Sequence, residues 1–199
     1  MKSRKKQPVV TRQAILDAAG SEFAAHGYAA TGIGAIVDRA ELTKGALFHH
    51  FPDKRALALA WVGESLAEQI QQAWLDPLAE VDSLKALVAF MKVQCAGLEA
   101  LQATAALVAM AAETAHGDPA LAKALESVFG TWRQGLAAVL ERGQSESWVH
   151  RSIQPSIEAG ILVSMFAGFS VLMKCQREDA FLRDCATALE AYLETLRPQ

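Results

Sequence analysis

Residues 31–54 carry the side chains best suited to binding a polyanion. Lys44 and Lys54 supply ammonium groups, Thr43 supplies a hydroxyl, and Gly45 is small enough to allow a close approach. Ammonium and hydroxyl groups bind phosphate oxygens, and lysine also binds the acceptor atoms of guanine in the major groove. These residue types therefore indicate nucleic-acid binding.

Two short helices are predicted to position these side chains. In residues 33–40, apolar side chains recur at i, i+3, i+4 and i+7, which gives one buried face. A tight joint, Glu41-Leu42-Thr43, follows, and Thr43 is a favourable N-cap for a second helix, Lys44–His50. The arrangement predicts a helix-turn-helix whose second helix enters the DNA major groove. The pattern alone equally allows an ordinary helical hairpin with a solvated basic end.

A family resemblance favours the helix-turn-helix. The residues that carry it, in this order and spacing, are Gly27-Tyr28, Thr31, Ile36, Thr43-Lys44-Gly45, Leu47, His50-Phe51 and Lys54. They resemble the DNA-binding domain of the TetR family of bacterial repressors. The resemblance implies a duplex DNA operator as partner and a helical C-terminal domain behind the DNA-binding one. The DNA contacts that we expect come from Thr31, Thr43, Lys44, Gly45, Ala46, Phe48, His49, His50 and Lys54.

Two positions depart from the family pattern. The family usually has glycine where this chain has Glu41, at a turn position that often needs a positive φ. It usually has tyrosine where this chain has Phe48, so a hydroxyl that contacts phosphate is missing. We expect Glu41 to affect the turn geometry and Phe48 to weaken binding to the DNA phosphate backbone slightly.

The charge is distributed unevenly along the chain. The net charge of the 199 residues is −3, yet residues 1–60 hold nine Lys/Arg against five Asp/Glu. Residues 61–199 hold ten Lys/Arg against seventeen Asp/Glu. A basic end that coincides with the predicted helix-turn-helix is typical of DNA-binding proteins. The basic tail, residues 1–8, either lies along the DNA or merely aids solubility.

The remaining sequence predicts an all-α protein of about nine helices. Strand-type alternation is absent, and glycine and proline fall between the periodic segments. Asp76-Pro77 is predicted to end the fourth helix, and Gly143 the seventh. We expect a three-helix DNA-binding domain in residues 1–55 and a helical domain for effector binding and dimerisation in residues 56–199.

No motif indicates an enzyme, a metal site or a cofactor. There is no glycine-rich phosphate loop and no HExxH sequence, and adjacent His49 and His50 do not face each other on a helix. Three cysteines allow no complete disulfide framework, which favours a reducing, cytoplasmic location. The uncharged run from Ala159 to Met173 is fifteen residues, too short to span a membrane, and it predicts a buried helix.

The predicted C-terminal domain is rich in methionine and aromatic residues. Most are expected in the core, since such residues at helical spacing usually pack there. A subset is predicted to line a pocket for an apolar or aromatic small molecule, which is where the resemblance implies an effector. The candidates are Trp132, Phe169, Met110, Met91 and Met165.

Two alternatives to a ligand-responsive regulator stay open. Cys95 is a candidate thiol sensor of oxidants or electrophiles, although a free cysteine is more often a small core residue. A helical adaptor that binds other proteins is the second alternative, and specific DNA binding would exclude it. For the regulator, we expect a homodimer formed through Pro155–Cys175 and the stretch from Asp179 to Leu196, because both segments are apolar over more than one face.

Overall fold

Every regular element in the described part of the chain is a helix. The structure, a computed structural model, describes residues 8–114, 116–175 and 179–198. The predicted basic tail therefore falls largely outside the described residues. The helices are α1 (Pro8–His26), α2 (Ile33–Arg39), α3 (Lys44–His50), α4 (54–78), α5 (Leu84–Ala96), α6 (Leu98–Thr114), α7 (Pro119–Ser145), α8 (Pro155–Cys175) and α9 (Asp179–Glu194). Over these residues the prediction of an all-α fold with nine helices is confirmed.

Helix α4 is built from five consecutive segments. They are Lys54–Ala60, a π-helical turn Trp61–Leu66, Ala67–Ile70, a second π-helical turn Gln71–Leu75, and Asp76–Leu78. The prediction that Asp76-Pro77 ends this helix is therefore wrong by one turn. Pro77 lies in the last segment, Asp76–Leu78, directly after the second π-helical turn. Two wide turns in one helix are unusual, and such turns are frequent at functional sites.

Helix α7 also extends beyond its predicted end. Gly143 lies inside the helix, where a Cβ atom would meet Trp148 and Val149 at less than 3 Å. The helix ends at Ser145, and Ser147 after it takes a left-handed conformation with φ of 66°. Gly143 therefore provides a close approach between the helix and the following chain, and the prediction that it ends α7 is wrong.

The described chain forms two compact units. Of the described residues, the first comprises 8–67, 109–114 and 116–126, and the second comprises 68–108, 127–175 and 179–198. The first unit therefore contains the N-terminal helices, the first part of α4 and the corner between α6 and α7. The predicted boundary between residues 55 and 56 concerns function and stays a prediction.

The core of the first unit joins α1 to the helices that follow it. Ile15 and Phe23 of α1, Ile36 of α2 and Leu47 of α3 are buried. The Phe23 ring lies 5.5 Å from the Trp61 ring, centroid to centroid. This packing fixes the two short helices against α1 and the start of α4.

The core of the second unit is a cluster of aromatic rings. Trp74, Trp132 and Phe166 are fully buried, and Trp74 lies 4.6 Å from Trp132 and 4.4 Å from Phe166 between ring centroids. Phe90 contacts Trp74 edge-on at 6.1 Å. We call Trp74, Phe90, Trp132 and Phe166 the aromatic cluster. It joins residues from α4, α5, α7 and α8.

Helix α8 is only partly covered in the single chain, so the prediction of a buried helix is wrong. Its apolar side chains Ile157, Ile161, Val171 and Leu172 are exposed. By length and composition alone, α8 is long and apolar enough to cross a membrane. The same holds for α5 and α6 only if the two bent helices are counted as one span. Core helices of globular proteins often have this length and composition as well.

Candidate nucleic-acid interface

The joint between α2 and α3 has the conformation that the family glycine usually adopts. Glu41 takes a left-handed conformation with φ of 54°. Leu42 then donates its N–H to the Val37 carbonyl at 2.9 Å, and buried Leu47 anchors α3 below. The departure at Glu41 therefore preserves the turn, at the cost of a conformation that is strained for a residue with a Cβ atom.

The strain at Glu41 gives a prediction about stability. Replacing Glu41 with glycine should raise the free energy of unfolding by about 0.5–1 kcal/mol. Glycine adopts positive φ without strain, and this gain exceeds the extra chain entropy that glycine loses on folding. Urea denaturation measures this change. Ser147→Gly, at the other described non-glycine residue with positive φ, is the matched control in the second unit. A loss of stability in Glu41→Gly alone would contradict the assigned turn.

The predicted cap of α3 is confirmed. The Thr43 hydroxyl oxygen accepts a hydrogen bond from the Ala46 N–H at 3.2 Å. Beyond the cap, Lys44, Gly45, Phe48 and His49 are exposed, whereas Ala46 and His50 are half-buried. The exposed side of α3 is therefore the side on which the sequence predicts DNA contacts.

Gly45 has no partner inside the chain that requires a glycine. A Cβ atom at this position would meet only the Thr43 hydroxyl, at an ordinary distance of 3.8 Å. The smallness of residue 45 thus serves no packing purpose among the described residues. The predicted close approach of Gly45 to DNA stays a prediction.

Intramolecular contacts neutralise much of the positive charge in the first unit. Arg12 pairs with Glu64 at 2.5 Å, Arg39 pairs with Glu22 at 2.5 Å, and Arg55 pairs with Asp118. Lys54 donates to backbone carbonyls. Among the described lysines and arginines of residues 8–60, Lys44 alone has neither an ion pair nor a hydrogen bond within the chain. The uncommitted ammonium group lies on the exposed side of α3.

Glu22 is a structural residue that sequence reasoning missed. Its carboxylate is buried and binds Arg39 Nε at 2.5 Å and His26 Nδ1 at 3.2 Å. The hydrogen bond from Arg39 is the main reason that the pKa of Glu22 lies below its ordinary value. The pair ties the end of α2 to α1. Its one sequence signal is the i, i+4 spacing of Glu22 and His26.

Thr31 lies away from the exposed side of α3. It is buried, and its hydroxyl donates to the Gly27 carbonyl at 2.7 Å and lies 3.2 Å from the Glu22 carbonyl. These contacts give Thr31 a role in holding the α1–α2 connection. Its predicted contact with DNA stays a prediction.

Lys54 is engaged with the same connection. Its ammonium group donates to the carbonyls of Tyr28, Ala29 and Thr31 at 2.9, 3.2 and 2.9 Å, and it lies 4.6 Å from the Tyr28 ring centroid. Three carbonyls use all three ammonium donors. The predicted contact of Lys54 with phosphate therefore requires that these bonds be exchanged.

Replacement of Lys54 separates the two roles. Lys54→Ala should lower the free energy of unfolding by about 2 kcal/mol, because hydrogen bonds from a charged donor are lost. The slope of log affinity for DNA against log salt should stay unchanged if Lys54 is structural. A slope lower by about one unit per half-site would instead indicate a phosphate contact. Lys123→Ala, at an exposed lysine of α7, is the control.

The corner between α6 and α7 contacts the N-terminal helices within the first unit. Asp118 caps α7 by accepting from the N–H groups of Ala120 and Leu121, and it also pairs with Arg55. The Arg55 guanidinium is the main cause that lowers the pKa of Asp118 to about 2. Glu113 accepts from the Ala29 N–H at 2.7 Å. The sequence pattern did not predict the ion pair between Arg55 and Asp118.

The predicted effector residues are divided between the two units. Trp132 and Met91 are buried and Phe169 and Met165 are half-buried, all four in the second unit. Trp132 belongs to the aromatic cluster, and Phe169 contacts that cluster through Phe166 at 5.9 Å. Met110 is buried and belongs to the first unit, whereas the other four candidates belong to the second. Sequence reasoning missed Trp74, which contacts three other rings of the cluster.

Cys95 is buried in the second unit. Burial, together with a smaller effect of nearby Cys185, raises the pKa of Cys95 to about 11. The thiolate is the form that reacts with oxidants, so this environment disfavours reaction near neutral pH.

These features define a helix-turn-helix protein of the DNA-binding type. Residues 15–61 match the family described as bacterial regulatory proteins, tetR family. Residues 81–188 match the family described as transcriptional regulator LmrA/YxaF-like, C-terminal domain. The chain therefore belongs to the TetR family of transcriptional regulators, and the resemblance stated from the sequence is confirmed.

Similar proteins agree with this assignment. The transcriptional regulator LmrA of Bacillus subtilis is 31% identical over 79% of this chain and 87% of its own. The A-factor receptor protein of Streptomyces griseus is 30% identical over 91% of this chain, which spans 61% of the receptor's length. A TetR regulator from Chloroflexus aurantiacus has a TM-score of 0.85 at 22% identity, covering 96% of this chain and 97% of that one, and shows the fold alone.

Proposed function

We propose that this regulator is a homodimeric repressor that binds a palindromic duplex operator and is released by an apolar or aromatic small molecule. The observation that carries the DNA-binding part is Lys44, an uncommitted cation beside Gly45 on the exposed side of α3. Repressors named among the similar proteins, such as AcnR of Corynebacterium efficiens at 37% identity over 75 residues, support the direction of control. Binding to chromosomal DNA implies action in the bacterial cytoplasm.

A second copy of the chain is the proposed cover for the exposed face of α8. Ile157, Ile161, Val171 and Leu172 are exposed there, and a Cβ atom at Gly160 or Gly168 would meet nothing within 4 Å in the single chain. Small residues beside exposed apolar ones allow two helices to approach closely. In the proposed dimer, helices α8 and α9 of the two copies pack around a two-fold axis. Such a dimer also has the two DNA-binding ends that a palindrome requires.

Release by an effector requires that it bind more tightly to a conformation that fits the operator poorly. Helix α4 is the proposed transmitting element, since only three residues separate its start from the end of α3. Its two π-helical turns support this role. Within the first unit, the pairs Arg55–Asp118 and Ala29–Glu113 offer a second connection to the DNA-binding helices. A coupling of about 1–3 kcal/mol is ordinary for such switches.

The aromatic cluster supports a small-molecule input more strongly than Cys95 supports a thiol input. The similar A-factor receptor protein is named as a receptor, which supports a small-molecule ligand for this chain as well. The buried Cys95, with its pKa near 11, favours the unreactive thiol. Of the two proposed inputs, the ligand is therefore preferred.

Peroxide treatment distinguishes the two inputs. Hydrogen peroxide should leave the affinity of the wild-type protein for selected operator DNA unchanged, and Cys95→Ser should behave in the same way, because the thiolate is scarce. Fluorescence anisotropy of labelled operator measures the affinity. Release of the wild type by peroxide, abolished in Cys95→Ser, would establish the thiol sensor. Failure of the protein to bind any duplex specifically would instead favour the helical adaptor.

A further inference from the structure

Two buried hydrogen-bond donors in the aromatic cluster have no acceptor. The indole Nε1 atoms of Trp74 and Trp132 are fully buried, and neither has a hydrogen-bond partner in the described chain. A buried N–H without an acceptor costs about 1–3 kcal/mol, so native proteins rarely keep one without a reason. Here two occur on rings whose centroids are 4.6 Å apart.

The polar side chains that are buried in the described part of the second unit are uncharged. The described buried polar residues of the second unit are Gln94, Thr104 and Ser170, and none carries a charge. An anionic molecule in these surroundings would lose its hydration without gaining a cation as partner. A neutral oxygen acceptor loses far less and satisfies the indole N–H groups.

We propose that the effector is a neutral molecule with an apolar ring or chain and at least one carbonyl-type oxygen, which accepts hydrogen bonds from the Trp74 and Trp132 indole N–H groups within the aromatic cluster. This proposal rests on the proposed function and specifies the chemistry of its ligand. The rings of Phe90 and Phe166 pack against the apolar part, and the two donors select the oxygen. A ligand with the same ring but no acceptor leaves both donors unsatisfied.

Three matched probes test this chemistry on the full-length protein. They are naphthalene, which has no acceptor, 2-acetylnaphthalene, which has a neutral carbonyl, and 2-naphthoate, which is anionic. We expect the ketone to bind at least about fivefold more tightly than naphthalene, the gain from one net hydrogen bond, and the naphthoate to bind most weakly. Isothermal titration calorimetry gives the affinities. Equal binding of ketone and naphthalene, or tightest binding of naphthoate, would overturn the proposal.

Substitution of single tryptophans by phenylalanine assigns the preference to its donors. Trp74→Phe and Trp132→Phe keep an aromatic ring but remove the N–H, so each should lower the ketone preference toward one. Trp148→Phe is the control, because the Trp148 Nε1–H already donates to Glu146 at 2.9 Å. A ketone preference that survives in both cluster variants would overturn the proposal.

A measurement on the wild-type chain does not depend on the folding of these variants. The chain has four tryptophans, so ¹⁵N-tryptophan labelling gives four indole N–H resonances. The ketone should move two of them downfield, as hydrogen bonding does, while naphthalene should not. The Trp148 resonance, assigned with Trp148→Phe, should stay in place. If no resonance other than that of Trp148 moves downfield, the indole groups do not bind the carbonyl.

The DNA affinity separates this proposal from the proposed function. A protein that binds its operator specifically but binds none of the three probes is a regulator without the proposed neutral-acceptor site. A protein that binds the ketone through its tryptophans but binds no DNA specifically retains the site and loses the repressor assignment.

Discussion

Replacing Ile161 in α8 with glutamate is expected to convert the proposed dimer into monomers and to weaken operator binding by on the order of 100-fold. The Ile161 side chain is 39% exposed in the single chain and lies in the middle of the exposed apolar face of α8. A carboxylate placed there in each copy would be buried without a cation across the two-fold axis. Loss of the dimer separates the two DNA-binding ends, and linked binding of this kind contributes about 10²–10⁴-fold to affinity.

Sedimentation velocity at micromolar concentration and operator anisotropy measure the two parts of this result. Val93→Glu is the matched control, because Val93 is 64% exposed on α5, in the same unit but outside α8 and α9. The control should remain dimeric and bind normally. If Ile161→Glu stays dimeric, or if a wild-type monomer binds the operator tightly, the proposed interface is wrong.

The second large effect is expected from Lys44→Ala. Among the described lysines and arginines of residues 8–60, Lys44 is the one without a hydrogen bond or ion pair in the chain, and it lies at the start of α3 on the exposed side. A lysine bound to guanine contributes about 1–3 kcal/mol of base discrimination. A dimer carries two copies, so loss on the selected operator should reach about 2–6 kcal/mol, while random DNA should lose much less.

The comparison of selected with random duplex decides the role of Lys44. The fold stability should be nearly unchanged, because no described contact is removed. Lys85→Ala removes an equal charge from an exposed position on α5 and serves as the control. An equal loss on both DNAs would assign Lys44 to phosphate and would contradict base reading.

Local signals were sufficient to predict the two short helices. The apolar spacing of Ile36 and Leu47 and the cap at Thr43 each act within a few residues, and the structure has all three. The family glycine also indicated the positive φ at Glu41, but the expected effect of Glu41 on the turn geometry was wrong, because Glu41 itself adopts that φ. Such features depend on the identity of neighbouring residues, which the sequence states directly.

Contacts between distant residues were not predictable in the same way. Arg39 and Glu22 are 17 residues apart, and Arg55 and Asp118 are 63 apart. Charge counting over residues 1–60 therefore treated these arginines as available for DNA, whereas ion pairs occupy them. Lys54 illustrates the same effect, because its carbonyl partners are 23–26 residues away.

The aromatic cluster shows the same limit for the candidate effector site. Composition identified Trp132 as a candidate, but Trp74 belongs to a different helix, and nothing in its local sequence indicates that the two indoles meet. The missing acceptors for their N–H groups depend on every neighbour in the folded chain. A pattern within one helix cannot supply that information.

Selection of duplexes from a random pool by the purified full-length protein tests the central claim most directly. The bound DNA is sequenced, and the affinity of the enriched duplex is compared with that of random duplex at increasing salt. The account predicts an enriched sequence with two-fold symmetry, half-sites about one helical turn or a multiple apart, and affinity that falls steeply with salt. Enrichment of no sequence, with equal affinity for random DNA, would contradict specific DNA recognition by this chain.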